Sequence, residues 1–338
     1  MTRPAPVVST VTATSPEGRP QAKRPKAEQR KIVRRIVDGV LLLDKAQGSS
    51  SNHALQAARR LLNAAKAGHT GTLDPMASGL LPLTFGEATK FSQMLLDADK
   101  TYEAVVQLGV ETDSGDADGR VIATHAVSVS EARLAEVVAG FRGDIEQVPP
   151  MYSALKRDGK ALYEYARQGI EVEREARRVT IHALDLLDFA GDRFSMRVAC
   201  SKGTYIRTLA MDIGAALGCG AHLCGLRRTR IGPFDVCEAV TLERLESCPA
   251  EERDALLAPV DTLVREFGEV LLEAEQAAWL LQGRTLRLVP SGTPGPVRAY
   301  GPQGFLGLAC WQADGTLAPR RLIATGALQR PTHPHDMD

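Results

Sequence analysis

The alternation of hydrophobic and polar residues predicts a mixed α and β fold. An apolar run over 39–45 is typical of a short buried strand, and leucines and alanines then recur at helical spacing up to residue 65. We predict that this helix begins at Ser51 or Asn52, because either side chain can cap it. The pattern also predicts helices over 87–98, 131–140 and 204–217, and strands over 102–110, 178–188 and 193–200.

A second pattern follows a polar stretch at 244–254, which we interpret as a domain boundary. Short apolar runs lie beyond it, separated by glycine and proline turns, and this spacing is typical of a small β-barrel. The runs cover 285–289, 297–300, 305–311 and 317–323.

Composition excludes global disorder, because 44% of the 338 residues are hydrophobic and can form a substantial core. Basic and acidic residues balance at 41 each, so the net charge indicates no polyanionic partner. Residues 1–36 differ, with nine basic residues, two acidic residues and five prolines. We predict a disordered basic arm over 1–38. It could contact nucleic acid or remain a solvated tail, and the sequence leaves both alternatives open.

Targeting and metal-binding signals are weak. Six cysteines lack short paired spacings, and no signal peptide or apolar run of the roughly 18 residues needed by a membrane helix is present. We therefore expect a soluble, cytoplasmic protein that does not enter a membrane.

Four motif fragments are incomplete. Ser153–Lys156 has the spacing of an acyl-enzyme motif without its companions, and 114–119 resembles a calcium loop whose twelfth position is His125. Cys219, His222 and Cys224 lie close together, but no second pair of Cys or His at zinc spacing completes a metal site. Gly218 and Gly220 lack the third glycine of a dinucleotide-binding motif. We expect no metal ion and no nucleotide cofactor.

Residues 67–86, AGHTGTLDPMASGLLPLTFG, are almost uncharged and rich in glycine, so we predict a shaped loop. Asp74 is the sole acidic residue in it. Burial raises the pKa of a carboxyl group, so an ionised Asp74 needs a cationic neighbour or backbone donors. The residues alone leave two interpretations open: a nucleophile, or an Asx turn before Pro75.

The segment Gly68–Leu81 resembles the catalytic motif of the bacterial tRNA pseudouridine-55 synthase family. One turn departs from the family pattern, because Ala46 follows Lys45 where proline is usual, and Ser50 stands where threonine is usual. Four further segments resemble family motifs in the same order: KTYE at 100–103, QVPPMYSALK at 147–156, GTYIRT at 203–208 and LRR at 226–228.

The resemblance implies a pseudouridine synthase core over 39–255 with a central mixed, mainly antiparallel sheet. It further implies a small β-barrel-like PUA-type RNA-binding domain over 256–330 and a tail over 331–338. The implied activity is isomerisation of uridine 55 in the TΨC arm of tRNA, with the base flipped out of the RNA. No cofactor is implied, because the isomerisation has no net redox change, and the family resemblance suggests a monomer.

The same resemblance assigns roles to individual residues. Asp74 would be the nucleophile and pair with Arg207, Tyr102 would stack on the target base, and Tyr205 would be a candidate for proton transfer. An insertion over about 150–178 would close over the RNA. Leu226 would wall the base pocket. The residues expected to bind the substrate are His69, Lys156, Arg157, Lys160, Arg178, Leu226, Arg227 and Arg228.

Two alternative functions remain open at this stage. Guide-RNA-dependent synthases of archaea and eukaryotes share the aspartate loop, although the long 156–178 insertion argues against this group. An RNA-binding or RNA-folding module with secondary catalysis is the other alternative, and the intact set of Asp74, Tyr102, Tyr205 and Arg207 disfavours it. Without the resemblance, the mixed charges of 156–178 favour a solvated helix over an RNA-binding segment.

Overall fold

The computed structural model describes residues 33–289 and 293–324. Most of the predicted basic arm and all of the predicted C-terminal tail lie outside the described residues. Between residues 39 and 247 the helices are α1 (Ser51–Leu61), α2 (Ser92–Asp97), α3 (Glu131–Gly140), α4 (Leu162–Ala166), α5 (Ile206–Leu217) and α6 (Leu242–Ser247). The strands are β1 (Gly39–Lys45), β2 (Ala67–His69), β3 (Ala77–Phe85), β4 (Lys100–Leu108), β5 (Val110–Thr112), β6 (Val121–Thr124), β7 (Gly143–Gln147), β8 (Lys156–Arg157), β9 (Lys160–Ala161), β10 (Arg177–Phe189), β11 (Arg193–Cys200), β12 (Ala221–Ile231), β13 (Phe234–Asp235) and β14 (Val240–Thr241).

Ten of these strands form one mixed sheet in the order β14-β1-β3-β12-β4-β11-β10-β7, with β2 paired to β3 and β13 paired to β12. Its pairs are antiparallel except β1 with β14 and β3 with β12. Helix α5 packs against β12, and α3 packs against both β10 and α5. This arrangement confirms the predicted fold class. It places the ends of β2, β3 and α5 close together, and these ends carry the candidate site.

The first helix begins at Ser51, but its N-cap lies one residue before Ser51, the earlier of the two predicted caps. Ser50 is the N-cap, and its Oγ accepts a hydrogen bond from the backbone N of His53 at 3.1 Å. The helix predicted over 87–98 is a 3₁₀ turn over 86–91 followed by α2.

The predicted loop over 67–86 is wrong in its second half, because residues 77–85 form the buried strand β3. Its sequence, ASGLLPLTF, contains glycine and proline, but almost every side chain is buried between β1 and β12. Burial of this apolar run outweighs the local preference of glycine and proline for turns. Only residues 70–76 and Gly86 remain outside the strands, and the first of these segments contains Asp74.

The C-terminal residues form a second, five-stranded sheet in the order β15-β17-β18-β19-β16. It has its own apolar core, and the ring of Phe305 on β18 lies 5.6 Å from that of Phe91, which ends the 3₁₀ turn before α2. The domain boundary near residue 255 remains a prediction. The elements are β15 (Glu269–Leu271), α7 (Ala274–Leu281), β16 (Leu286–Arg287), β17 (Gly295–Gly301), β18 (Gly304–Trp311) and β19 (Thr316–Leu322).

Among the residues the structure describes, no helix combines the length and the apolar character needed to cross a membrane.

Candidate active site

The loop that carries Asp74 is held by two buried side chains from other elements. Ser51 Oγ donates to Leu73 O at 2.9 Å and accepts from Leu73 N at 2.7 Å. Arg228 donates from Nη2 to Gly71 O at 3.2 Å and from Nε to a carbonyl of β3 at 2.8 Å. Because the loop is tied at Gly71 and at Leu73, the residue before Asp74, the position of the Asp74 carboxylate is well defined.

Asp74 forms an ion pair with Arg207, whose Nε lies 3.0 Å from Asp74 Oδ2. The Arg207 side chain is only 5% exposed, whereas that of Asp74 is 35% exposed. Arg207 also donates to Ser114 O at 3.1 Å and to Tyr152 O at 2.6 Å, so its guanidinium is fixed on several sides. The structure therefore brings together the predicted pair, with the carboxylate facing open space.

A second carboxylate, Asp116, lies on the other side of Arg207, with Oδ2 3.5 Å from Nη1. Its side chain is 7% exposed and accepts hydrogen bonds from Ser114 Oγ at 2.5 Å and Asp118 N at 3.2 Å. The sequence does not predict a role for Asp116, because residues 114–119 resemble only an incomplete calcium loop. The signal that could indicate it is the turn of closely spaced polar residues between β5 and β6.

Burial and neighbouring charges act on Asp74 in opposite directions. Burial raises the pKa of Asp74 above its ordinary value, the Arg207 guanidinium lowers it, and the Asp116 carboxylate raises it again, with a net upward shift. Nearby Lys45 is buried, and burial lowers the pKa of its ammonium group to about 8. Its Nζ donates to Ala46 O at 2.9 Å and Ser49 O at 2.6 Å, so the turn is closed by its lysine although proline is absent.

A cavity of about 690 Å³ opens in front of the ion pair. Segments 50–52, 69–75, 113–120 and 152–167 contribute to its wall. The last of these belongs to the predicted insertion, and it supplies Tyr163 and Arg167. The cavity therefore lies between the aspartate loop and the insertion.

The two predicted tyrosines are close to Asp74 but do not line this cavity. Tyr102 lies on β4, opposite Arg228 on β12, and is buried in the core. Tyr205 precedes α5, and its backbone N donates to Gln147 Oε1 at 3.0 Å. Burial raises the pKa of both phenols, and the negative charge of Asp74 raises the pKa of each further.

Four predicted substrate-binding residues have different environments. His69 lines the cavity, and its buried Nδ1 has no hydrogen-bond partner within the described chain. Leu226 instead lines a second cavity of about 380 Å³. Arg227 pairs with Asp44 at 2.7 Å. Arg228 is 1% exposed, so here it supports the aspartate loop and presents no surface to RNA, which corrects the predicted contact.

The other predicted basic residues are exposed on and beside the insertion. Lys156, Arg157 and Lys160 lie on the small hairpin β8–β9, which is followed by a helix of only five residues. These residues therefore form a short hairpin and not the solvated helix that the mixed charges of 156–178 favour. Arg178 pairs with Asp144 at 2.5 Å. The contacts of these four residues with RNA remain predictions.

In the part of the chain that the structure describes, His, Cys, Asp and Glu form no group of three or more that could hold a metal ion. The side chains around Asp74 instead supply an anionic oxygen, a fixed guanidinium and phenols. Such a set can provide a nucleophile, charge stabilisation and a proton donor.

Comparison with known proteins assigns the chain to a family. Residues 59–206 match the model of the TruB family pseudouridylate synthase N-terminal domain, 207–265 match the tRNA pseudouridylate synthase B C-terminal domain, and 268–323 match the pseudouridine synthase II TruB C-terminal region.

Individual relatives agree with the family models. A protein of Azoarcus sp. (strain BH72) named tRNA pseudouridine synthase B is 70% identical over 88% of this chain and 98% of its own length, and one of Aromatoleum aromaticum with the same name is 65% identical over 89% and 97%. The crystal structure of a Cbf5-Nop10-Gar1 complex matches with a TM-score of 0.61 and 27% identity, over 87% of this chain and 81% of that chain. The chain belongs to the TruB family of pseudouridylate synthases.

Proposed function

We propose that this chain converts uridine 55 in the TΨC arm of tRNA to pseudouridine and that Asp74 is the nucleophile. The observation that carries the proposal is the ion pair of Asp74 with buried Arg207 at the wall of the 690 Å³ cavity. The names of the relatives support tRNA as the substrate, and the motif resemblance supports position 55.

The reaction breaks the N1–C1′ bond and forms a C5–C1′ bond, while C5 loses a proton and N1 gains one. Electrons balance without an oxidant or reductant. An Asp74 carboxylate can add to C1′ of the ribose, add to C6 of the uracil, or assist elimination to a glycal. All three routes require an anionic oxygen beside the extruded nucleotide, and Asp74 Oδ1 and Oδ2 supply it.

Arg207 keeps Asp74 anionic, since its guanidinium opposes the rise in pKa that burial causes. Tyr102 is proposed to stack on the uracil while the detached ring turns, which requires the base to displace the side chains that cover the Tyr102 ring in this structure. Tyr205 is proposed to transfer the C5 proton. Its raised pKa keeps the phenol protonated at neutral pH, so the phenol is proposed to donate its proton to N1, and the resulting phenolate then accepts the proton from C5.

The target uridine becomes accessible only after it leaves the folded RNA. This step costs a few kcal/mol, and contacts with the surrounding RNA loop must offset that cost. His69, Tyr163 and Arg167 line the cavity and are proposed to contact the displaced loop. Phosphate contacts are proposed for Lys156, Arg157, Lys160, Arg178 and Arg227. RNA contact by residues 256–330, the monomeric state and the cytoplasmic location remain predictions.

Guide-RNA dependence is the second candidate, because the Cbf5 complex shares the fold. Its identity to this chain is 27%, compared with 70% for the relative named tRNA pseudouridine synthase B. We therefore favour a stand-alone enzyme over the guide-dependent alternative.

The position of pseudouridine in a tRNA transcript tests this proposal. The purified chain is incubated with unmodified tRNA and no other RNA, and pseudouridine is mapped by chemical derivatisation and primer extension. We expect one modified position, uridine 55, and none in a transcript carrying cytidine there. Modification elsewhere, or only after a guide RNA is added, contradicts the proposal.

A further inference from the structure

Ser153 has a buried hydroxyl that the mechanism above does not use. The residue is 5% exposed, and its Oγ forms no hydrogen bond of good geometry among the described residues, although the phenol of Tyr205 lies within its reach. Buried hydroxyl groups in native proteins are nearly always paired, so an unpaired one requires an explanation. Ser153 lines the same cavity as Asp74 and Arg207, and a bound molecule in that cavity could supply the partner.

The backbone around Ser153 is fixed relative to the nucleophile. Ser153 N donates to Met151 O at 2.9 Å, and Ser153 O accepts from Tyr163 N at 3.1 Å. The preceding residue, Tyr152, accepts the 2.6 Å hydrogen bond from Arg207, which in turn holds Asp74. Tyr152 and Arg207 therefore connect Ser153 to Asp74. The distance between the Ser153 hydroxyl and the Asp74 carboxylate is fixed by these backbone and side-chain contacts.

Tyr205 is the polar neighbour that indicates which part of the nucleotide Ser153 faces. The Ser153 hydroxyl is near enough to the phenol of Tyr205 to lower its pKa, against the larger effect of burial. Tyr205 is the residue proposed to face the uracil. A serine hydroxyl can both donate and accept, and uracil offers carbonyl oxygens and an N–H group at its edge.

We propose that Ser153 is a substrate-binding residue whose hydroxyl forms a hydrogen bond with the uracil of the extruded nucleotide. This inference rests on the proposed function, because it takes the cavity to be the site of the target uridine. It gives the serine of the PPMYSALK segment a role in recognising the base, and it places that contact at the start of the insertion.

Binding of two RNAs tests the contact. The RNAs are T-arm hairpins that differ only in having uridine or an abasic ribose at the target position, and Kd is measured in an Asp74→Asn background to prevent turnover. We expect Ser153→Ala to raise the Kd of the uridine RNA about tenfold and to leave that of the abasic RNA unchanged. Equal weakening of both RNAs, or no weakening, overturns the proposal.

Ser247→Ala is the matched control, since Ser247 is exposed at the end of α6 and lines neither cavity. It should change neither Kd. Thermal unfolding of Ser153→Ala should match that of the parent, and a lower Tm with equal loss for both RNAs indicates a folding defect and counts against the contact.

Tyr205→Phe separates binding of the base from orientation of the phenol. In a background with Tyr205→Phe, the tenfold effect of Ser153→Ala on the uridine RNA should persist. If it disappears, Ser153 acts only through Tyr205 and the proposal is wrong. Failure of the proposed function is distinct, because it is seen as unmodified uridine 55 with the unaltered chain.

Discussion

Asp116 Oδ2 lies 3.5 Å from Nη1 of Arg207, the guanidinium whose Nε binds Asp74. One buried cation therefore serves two carboxylates, of which only Asp74 is half-exposed to the cavity. Asp116 is hydrogen-bonded on its remaining side and is suited to fix the orientation of Arg207. The charge of Asp116 also raises the pKa of Asp74.

Asp116→Asn should lower kcat by about tenfold or more, because Arg207 loses one of the charged groups that orient it. The asparagine also removes a negative charge near Asp74, so the pKa of Asp74 falls. The acid limb of the pH–rate profile should therefore move to lower pH. A profile that moves to higher pH contradicts this arrangement of charges.

Arg207→Met should have the opposite effect on the acid limb. Without the guanidinium the pKa of Asp74 rises further, so activity should fall by about 10²-fold or more and the residual rate should begin at higher pH. Stability should fall by about 3–5 kcal/mol at neutral pH, since charged carboxylates are left unpaired.

The loss of stability caused by Arg207→Met should be smaller at acid pH than at neutral pH. A carboxyl whose folded-state pKa is raised favours the folded state when protonated, so the penalty decreases as pH falls through the raised pKa. Denaturant unfolding of the variant and the parent at several pH values measures this difference. A penalty independent of pH indicates loss of packing alone.

Gly79→Ala should destabilise the fold by about 3 kcal/mol or more. Gly79 has a φ of +102°, and an added Cβ would overlap the carbonyl oxygen of Arg228 and lie 2.7 Å from its backbone N. Gly143→Ala is the matched control, because its φ is +93° and its Cβ would meet nothing within 4 Å. Equal losses in the two variants would mean that backbone conformation alone determines the cost.

Lys45 should make stability depend on pH in the alkaline range. The pKa of its ammonium group is about 8 in the folded chain and 10.5 ordinarily, so the unfolded chain binds more protons between these values. Stability contributed by this group therefore increases as pH rises from 8 to 10.5, by about 3 kcal/mol. Lys45→Met should remove that increase, whereas Lys202→Met at an exposed position should retain it. Identical pH dependences of the Lys45 variant and the parent contradict the account.

The sequence predicts four strands of the main sheet, β1, β4, β10 and β11, from their apolar patterns, but it does not predict β3 or β12. It predicts the pair of Asp74 and Arg207 through the motif resemblance. It does not predict Asp116, because that contact requires the β5–β6 turn to dock on β12, where Ala117 N donates to Leu223 O at 2.9 Å. Such a contact depends on tertiary packing and leaves little local signal.

The surroundings of Leu226 also escape sequence prediction. A register shift between Leu223 and Gly225 interrupts the alternation of side chains along β12, so the side of the sheet that each residue faces cannot be counted from its neighbours. Leu226 consequently lines the second cavity beside Met76 and not the cavity of Asp74. Its predicted contact with the target base remains a prediction.

Release of tritium from tRNA labelled at C5 of its uridines tests the central claim, that the Asp74 carboxylate starts the isomerisation. The unaltered chain, Asp74→Asn and Asp188→Asn are compared, the last being an exposed aspartate on β10. We predict release by the unaltered chain and by Asp188→Asn, and no release by Asp74→Asn although it still binds the tRNA. Release by Asp74→Asn at the rate of the unaltered chain would contradict the account.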